Sequence, residues 1–234
     1  MRKNLVVLTG AGISAESGIK TFRDSDGLWE GYDVMKVATP MGWEENPELV
    51  LDFYNQRRRQ LLESKPNFAH IALVELEEIF SVHVITQNVD DLHERAGSSN
   101  VLHLHGELLK ARSTIDSNLV YSWMDDIHLG MKCELGSQLR PHIVWFGEDV
   151  PKLQQAIQIT QEAAVVLVVG TSLQVYPAAG LVGYAPKYCE VYYIDPKPAP
   201  NLDMMRIKNL NILPLGASDG MKLLVEQFRK SLLK

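Results

Sequence analysis

The sequence predicts an α/β protein built on a doubly wound parallel sheet with a small inserted module. Three observations predict it. Short runs of Val, Ile and Leu recur at residues 5–8, 82–85, 101–104, 143–145, 165–169 and 191–194. Near-continuous apolar runs of this length suit strands covered on both faces. Longer amphipathic segments fall between the runs, which is the alternation of a doubly wound sheet. Finally, 234 residues with 46% hydrophobic and 22% charged side chains fit one α/β-sized core and exclude a disordered or fibrous chain.

The first run, 5–8, is read as a strand entering a glycine turn at Gly10. A helix is expected from about Pro47. After Pro66, apolar residues at Ala69, Ala72, Leu73, Leu76, Ile79 and Phe80 form one stripe, with Pro66 expected in the first turn. Met221, Leu224, Val225, Phe228 and Leu232 repeat that stripe near the end of the chain. Two stretches, about 24–65 and 110–140, are longer than ordinary sheet connections. Together they read as a small module mounted on the sheet, within a single domain spanning 1–234.

The charge is 23 − 29 = −6, a poor match for nucleic acid or an anionic membrane. No apolar run approaches the roughly 18 residues that span a bilayer. Arg2 and Lys3 precede a run too short for a signal peptide. Cys133 and Cys189 cannot build a disulfide framework, so a cytoplasmic location is expected. The chain is expected to be a monomer.

Gly10-Ala11-Gly12-Ile13-Ser14-Ala15 follows the first strand as G-x-G-x-x-A. Such glycines allow a tight turn and a close backbone approach to a pyrophosphate. A plain strand-to-helix turn is the competing reading. Downstream, Glu16-Ser17-Gly18-Ile19-Lys20-Thr21-Phe22-Arg23 breaks the helix that an ordinary dinucleotide fold would carry onward. It reads as a segment closing over a cofactor and argues against a hydride-transferring dehydrogenase. Thr86-Gln87-Asn88-Val89-Asp90 follows the 82–85 strand, where open α/β sheets bind ligands. Its amides and acid suit ribose hydroxyls and a carboxamide, although Asn88 or Asp90 could equally cap a helix. His105-Gly106 closes the 101–104 run and reads as a catalytic imidazole, whereas His103 reads as structural.

These motifs, with Gly170-Thr171-Ser172-Leu173, Val175-Tyr176-Pro177-Ala178 and Arg140-Pro141-His142-Ile143-Val144-Trp145-Phe146-Gly147-Glu148, occur in order over nearly the whole chain. The chain thereby resembles the sirtuin family of NAD-dependent protein deacylases. The resemblance implies a Rossmann-like sheet with NAD consumed as co-substrate. It implies that Gly10, Ala11, Gly12 and Ala15 line the pyrophosphate, and that Phe22 and Arg23 belong to the closing loop. Gln87 would hold the nicotinamide ribose, with Asn88 and Asp90 around the nicotinamide. Gly170, Thr171, Ser172, Asp195 and Ala217 would meet the adenosine half; the family often has Asn at the Asp195 position. His105 would be the general base, with Asn88 beside it. The implied reaction moves an acyl group from lysine onto the ADP-ribose half and releases nicotinamide. Residues 144–148, with Val144, Phe146 and Gly147, and residues 173–176 would pair with an extended peptide as adjoining strands. Alternatives are protein ADP-ribosyl transfer and a non-enzymatic NAD-sensing module.

Tyr54 and Arg57 lie three apart on the helix expected after Pro47 and share a face. A phenol and a guanidinium there can grip a carboxylate. Phe-Tyr-x-x-Arg resembles sirtuins that remove acidic acyl groups, with Ala38 as the small residue that widens the pocket. Succinyl- and malonyl-lysine are therefore expected substrates, with acetyl-lysine also a candidate. Arg58 and Arg59 read as a solvated basic face. The family commonly carries a zinc on four cysteines, but only Cys133 stands between His105 and Arg140, and Ser113 and Gly136 sit near where family cysteines would be expected. No zinc is expected, and Leu119, Val120, Tyr121 and Trp123 are expected to hold the module by packing.

Overall fold

The computed structural model describes residues 2–20, 28–29 and 31–232. Strand β1 (Asn4–Thr9) leads into two 3-10 turns, Ala11–Ile13 and Ala15–Ser17. A short hairpin of β2 (Leu28–Trp29) and β3 (Tyr32–Asp33) precedes α1 (Val34–Val37), α2 (Pro40–Glu45) and α3 (Pro47–Glu63). The side chains of Asp33, Thr39 and Asn46 accept backbone N–H bonds at the starts of these helices, and proline opens α2 and α3. Next come α4 (Phe68–Leu76), β4 (Ser81–Thr86), α5 (Leu92–Ala96), β5 (Val101–His103), β6 (Gly106–Ser113), β7 (Val120–Ser122) and β8 (Leu139–Ile143). The chain closes with α6 (Leu153–Gln161), β9 (Val165–Val169), a 3-10 segment Ala178–Tyr184, β10 (Glu190–Ile194), α7 (Leu202–Met205), β11 (Leu210–Leu213) and α8 (Ala217–Leu232).

Six strands form one parallel sheet in the order β11-β10-β9-β1-β4-β5. The chain winds outward from β1 to one edge, returns, and winds outward to the other. The strand order therefore reverses between β1 and β9, the point where such sheets bind ligands. Leu5 and Val7 pack under Leu73, Leu76, Met221 and Leu224 of α4 and α8. Val6 and Leu8 face the opposite layer with Ala156, Leu181 and Met204. Burial on both faces explains why β1 reads as an unbroken apolar run. Among the described residues, no helix is long and apolar enough to cross a membrane.

A second, antiparallel sheet has the order β7-β6-β8. It lies against α3, where Leu51 packs with Ala111, Ile127 and Leu139. Asn55 of α3 fastens the module by donating to Ile127 O at 2.9 Å and accepting from Ile127 N at 2.9 Å.

Several expectations are corrected. Residues 143–145 are not a strand of the parallel sheet; Ile143 ends β8 in the antiparallel one. Beyond it the chain turns, because Trp145 N–H bonds the Glu148 carboxylate and Phe146 N–H bonds Ala38 O. Pro66 precedes α4 rather than occupying its first turn, since Asn67 and His70 form a capping box there. Ile79 and Phe80 lie past the end of that helix yet still pack on the sheet core. Val120 is exposed, while Leu119, Tyr121 and Trp123 pack on the small module. Arg58 is fully buried, not solvated: it donates to Leu108 O at 3.1 Å and to Asn55 Oδ1 at 2.8 Å. Burial pulls its pKa down to about 10. Arg59 alone keeps to the surface, paired with Asp126.

At the reversal point Gly12 N donates to Gly170 O at 2.8 Å. Gly170 has φ 62°, and a Cβ there would sit 2.3 Å from Ile13 N. Gly170→Ala combines the left-handed backbone cost with this overlap and should destabilise the fold by about 2 kcal/mol or more. Thermal unfolding checks this; a melting temperature within about 1 °C of wild type would contradict it.

Candidate active site

The ends of β10, β9, β1 and β4 stand side by side, and each carries polar groups. Asp195 follows β10 and is buried; one carboxylate oxygen accepts Lys197 N–H at 2.9 Å. Gly170, Thr171 and Ser172 follow β9, with Thr171 buried and Ser172 half-buried. Gly10, Ala11, Gly12 and the exposed Ala15 follow β1. Gln87 follows β4 and donates through Nε2 to Thr171 Oγ1 at 3.1 Å, crossing over β1. Three strand spacings, about 14 Å, separate the outer members. That row suits an elongated ligand laid across the strand ends. A Cβ on Gly10 would come within 2.6 Å of Thr171 and one on Gly12 within 2.7 Å of Gly170. The glycines thus let two strand-end loops touch and present bare backbone outward. Ala217 opens α8, a 16-residue helix whose positive end faces this loop. Glu16 Oε1 accepts Ser218 N–H at 3.1 Å and ties the loop to that helix. The residues present therefore fit a dinucleotide.

The loop after β4 turns inward. Asn88 Nδ2 donates to Ser14 Oγ at 3.1 Å, and Ser14 Oγ donates to Asp90 Oδ2 at 2.9 Å. All three side chains are buried. Burial raises the Asp90 pKa, with the Ser14 bond opposing it. Asp90 Oδ1 also accepts Leu92 N–H at 3.2 Å, but neither Asn88 nor Asp90 is the N-cap of α5: Asp91 holds that position, without a side-chain cap bond.

Two histidines hold consecutive carbonyls of this loop. His103 Nδ1 meets Asn88 O at 3.1 Å and its Nε2 meets Glu94 at 2.7 Å. His105, in the link between β5 and β6, meets Gln87 O at 3.0 Å through Nδ1. A carbonyl only accepts, so Nδ1 carries the proton and Nε2 of His105 keeps its lone pair. Burial lowers the His105 pKa, partly opposed by the Gln87 carbonyl. The imidazole is therefore neutral, and able to take a proton, at neutral pH.

Beside Asp90 lies a cavity of about 50 Å³ lined by Val89, Leu108, Trp29, Tyr54, Arg57 and Lys20, among others. Tyr54 and Arg57 of α3 do share it. The Arg57 guanidinium sits 3.7 Å from the Phe53 ring centre, and its Nη1 donates to Phe53 O at 2.6 Å. Ala38 is buried in the same apolar cluster as Tyr54 and Trp145. Val144 N–H bonds the His105 backbone carbonyl at 2.9 Å, tying the start of the 144–147 loop to the backbone of His105. Phe146 is exposed, and Gly147 turns the loop at φ 90°. Phe22 and Arg23 lie outside the described residues.

Sequence reasoning missed the polar clamp under this loop. Glu148 accepts from Arg140 at 2.7 Å, from Arg112 at 3.0 Å and from Trp145 N–H at 2.8 Å. Burial alone would raise the Glu148 pKa, but Arg140 and Arg112 hold it below the usual carboxylate range. The signal available was Arg140 and Glu148 flanking an aromatic turn at Gly147. Ser14 was in the motif, yet its bond to Asp90 joins residues 76 apart.

Fold and site define a doubly wound α/β protein whose strand ends fit a dinucleotide, with a neutral imidazole bonded to the loop after β4 and a cavity of about 50 Å³ beside Asp90. The Sir2 family model matches residues 10–177, and the chain belongs to the Sir2 family. Two proteins of Helicobacter pylori strains, each named NAD-dependent protein deacylase, are similar to it. One is 66% identical over 83% of this chain and 85% of its own length; the other is 57% identical over 99% and 100%. Among solved structures, a Sir2 homologue bound to ADP-ribose has a TM-score of 0.89 and 42% identity, covering 99% of this chain and 94% of that one. A Sir2 homologue–NAD complex gives 0.87 and 41%, covering 99% and 91%. A Sir2 protein bound to an acetylated peptide gives 0.78 and 30%, covering 97% and 93%.

Proposed function

We propose that this chain, as a single catalytic domain, is an NAD-dependent protein-lysine deacylase that accepts succinyl and malonyl groups, and acetyl as well. One observation carries the reading. A neutral imidazole, His105, is pinned to the loop bearing Asn88 and Asp90, and that loop borders a cavity holding a phenol and a guanidinium. NAD, when bound, supplies the ribose that receives the acyl group and releases nicotinamide. Gly10, Ala11, Gly12 and Ala15 hold its pyrophosphate, and Gln87 its nearer ribose. Asn88 and Asp90 hold its carboxamide, while Gly170, Thr171, Ser172, Asp195 and Ala217 hold the adenosine half. His105 Nε2 takes a proton from a ribose hydroxyl. Val144, Phe146 and Gly147 bind the peptide backbone beside it, and Ala38 leaves room for the acyl chain. Tyr54 and Arg57 take its carboxylate.

Assaying one peptide carrying acetyl-, malonyl- or succinyl-lysine, with and without NAD, tests this directly. Nicotinamide release without an acylated peptide would favour ADP-ribosyl transfer instead. His105→Ala should lower turnover by about 10²–10⁴-fold while leaving the fold intact. Because the imidazole pKa is lowered, the acid limb of the wild-type pH profile should fall below about pH 6.5. An acid limb above that value would remove His105 from the base role. Removing a charge-assisted contact costs roughly 1.5–3 kcal/mol, so Arg57→Met should slow desuccinylation by about 10- to 100-fold, with a far smaller effect on deacetylation. Equal losses would assign Arg57 to the fold or the cofactor.

We also propose that the small module is held by packing and by hydroxyl and thiol hydrogen bonds rather than by zinc. Cys133 Sγ lies 3.4 Å from Ser113 Oγ and 3.7 Å from Ser137 Oγ, and the two hydroxyls are 3.1 Å apart. A tetrahedral zinc needs four ligands, and hydroxyls are poor ones. Metal analysis should find less than about 0.1 zinc per chain after dialysis; one tightly held zinc would refute this.

A further inference from the structure

We infer that Trp145 is a positioning residue for acyl selectivity: its indole N–H fixes the direction in which Tyr54 offers its hydroxyl proton. The inference rests on the acidic-acyl reading above. Trp145 Nε1 lies 3.1 Å from the Tyr54 hydroxyl oxygen. An indole N–H can only donate, so the hydroxyl must accept from it and keeps its own proton for another partner. Tyr54 is wholly buried and lines the cavity shared with Arg57, so that proton is held for a group entering there. Burial pushes the Tyr54 pKa far up, with the Trp145 bond opposing it, and the phenol stays protonated.

The indole is itself immobilised. The Arg140 guanidinium stacks 3.2 Å from its ring centre. Its backbone N–H is bound by Glu148, which Arg140 and Arg112 hold in turn. Trp43 packs on it with ring centres 5.7 Å apart, and Trp145 is only 2% exposed. A donor fixed this firmly leaves the hydroxyl oxygen one occupied acceptor site before any substrate arrives. The hydroxyl is thereby preoriented for an acceptor such as a carboxylate, and an acetyl group presents no terminal carboxylate to use it.

The test compares wild type, Trp145→Phe, Tyr54→Phe and the double variant on one peptide carrying succinyl- or acetyl-lysine, with NAD saturating. Trp145→Phe keeps an aromatic ring and removes the N–H. It should raise KM for the succinyl peptide about three- to tenfold relative to the acetyl peptide, with little change in kcat. In the double variant Tyr54→Phe should abolish the effect of Trp145→Phe, since no hydroxyl remains to orient. Equal losses on both substrates, or losses that add in the double variant, would overturn the inference. If Trp145→Phe does not fold, benzothienylalanine at position 145 replaces N–H with sulfur in nearly the same shape, and the same selectivity loss is required of it. Arg57→Met separates the two ideas. Selective loss there without selective loss at Trp145 sinks only the positioning role. No selectivity in Arg57→Met or Tyr54→Phe sinks the acidic-acyl reading and the positioning role with it.

Discussion

The 2.8 Å contact between Gly12 N and Gly170 O exists only because neither residue has a side chain, and the site depends on it. Adjacent parallel strands sit about 4.8 Å apart, but the loops leaving them ordinarily diverge. Here the loops after β1 and β9 converge at the reversal of strand order. That convergence brings Thr171 within reach of Gln87, which leaves β4 on the far side of β1. It also carries Ser14 inward to meet Asn88 and Asp90. Four strand ends become one continuous floor because two residues gave up their Cβ atoms.

Above that floor the molecule buries charge and must satisfy it. Arg140, Arg112 and Glu148 lie together beneath the 144–148 loop, and the carboxylate also takes a backbone N–H. Taking such groups from water is costly, and a buried ion pair is weak evidence for stability. Its consequence here is geometric. The clamp holds the ring of Trp145, which reaches Tyr54 on α3, so a cluster at the edge of the small module is joined to a residue that lines the cavity between α3 and the loop after β4.

How much of this the sequence disclosed follows from how each residue is used. β1, β4, β9 and β10 were legible because burial on both faces leaves an apolar run. The 143–145 run was equally apolar but buries against α3, and a run cannot say which sheet it joins. β11 was missed because Leu210-Asn211-Ile212-Leu213 is an edge strand with no fully buried residue, and Asn211 interrupts its apolar run. Gln87, Asn88, Asp90 and His105 stood out because they follow strands closely. The three consecutive arginines were only partly readable. Each helical step rotates the side chain by about 100°, so Arg57 meets the cavity, Arg58 the core and Arg59 the solvent. Sequence supplies the rotation but not its starting angle. The Trp145–Tyr54 bond joins residues 91 apart and left no local trace.

The two histidines show how the fold gives two imidazoles different electrostatic surroundings at nearly the same place. Each binds a loop carbonyl through Nδ1, His103 that of Asn88 and His105 that of Gln87. Burial lowers both pKa values to begin with. At His103 the Glu94 carboxylate overrides burial and raises the pKa; at His105 no carboxylate is among the causes, and burial prevails. The consequences for stability have opposite signs. The His103 contribution is fully present below the unfolded value, near 6.5, and fades as pH rises through its higher folded pKa. The His105 contribution is present above about 6.5 and is lost as pH falls through its lower folded pKa. The loop bearing Asn88 is thus held from one side by an imidazole whose Nε2 is committed to Glu94 and from the other by one that burial keeps neutral. With its Nδ1 proton given to Gln87 O, that second ring keeps an Nε2 lone pair able to accept a proton. Both imidazoles anchor the loop, and a single glutamate, nine residues before His103 in the chain, sends their pKa values in opposite directions.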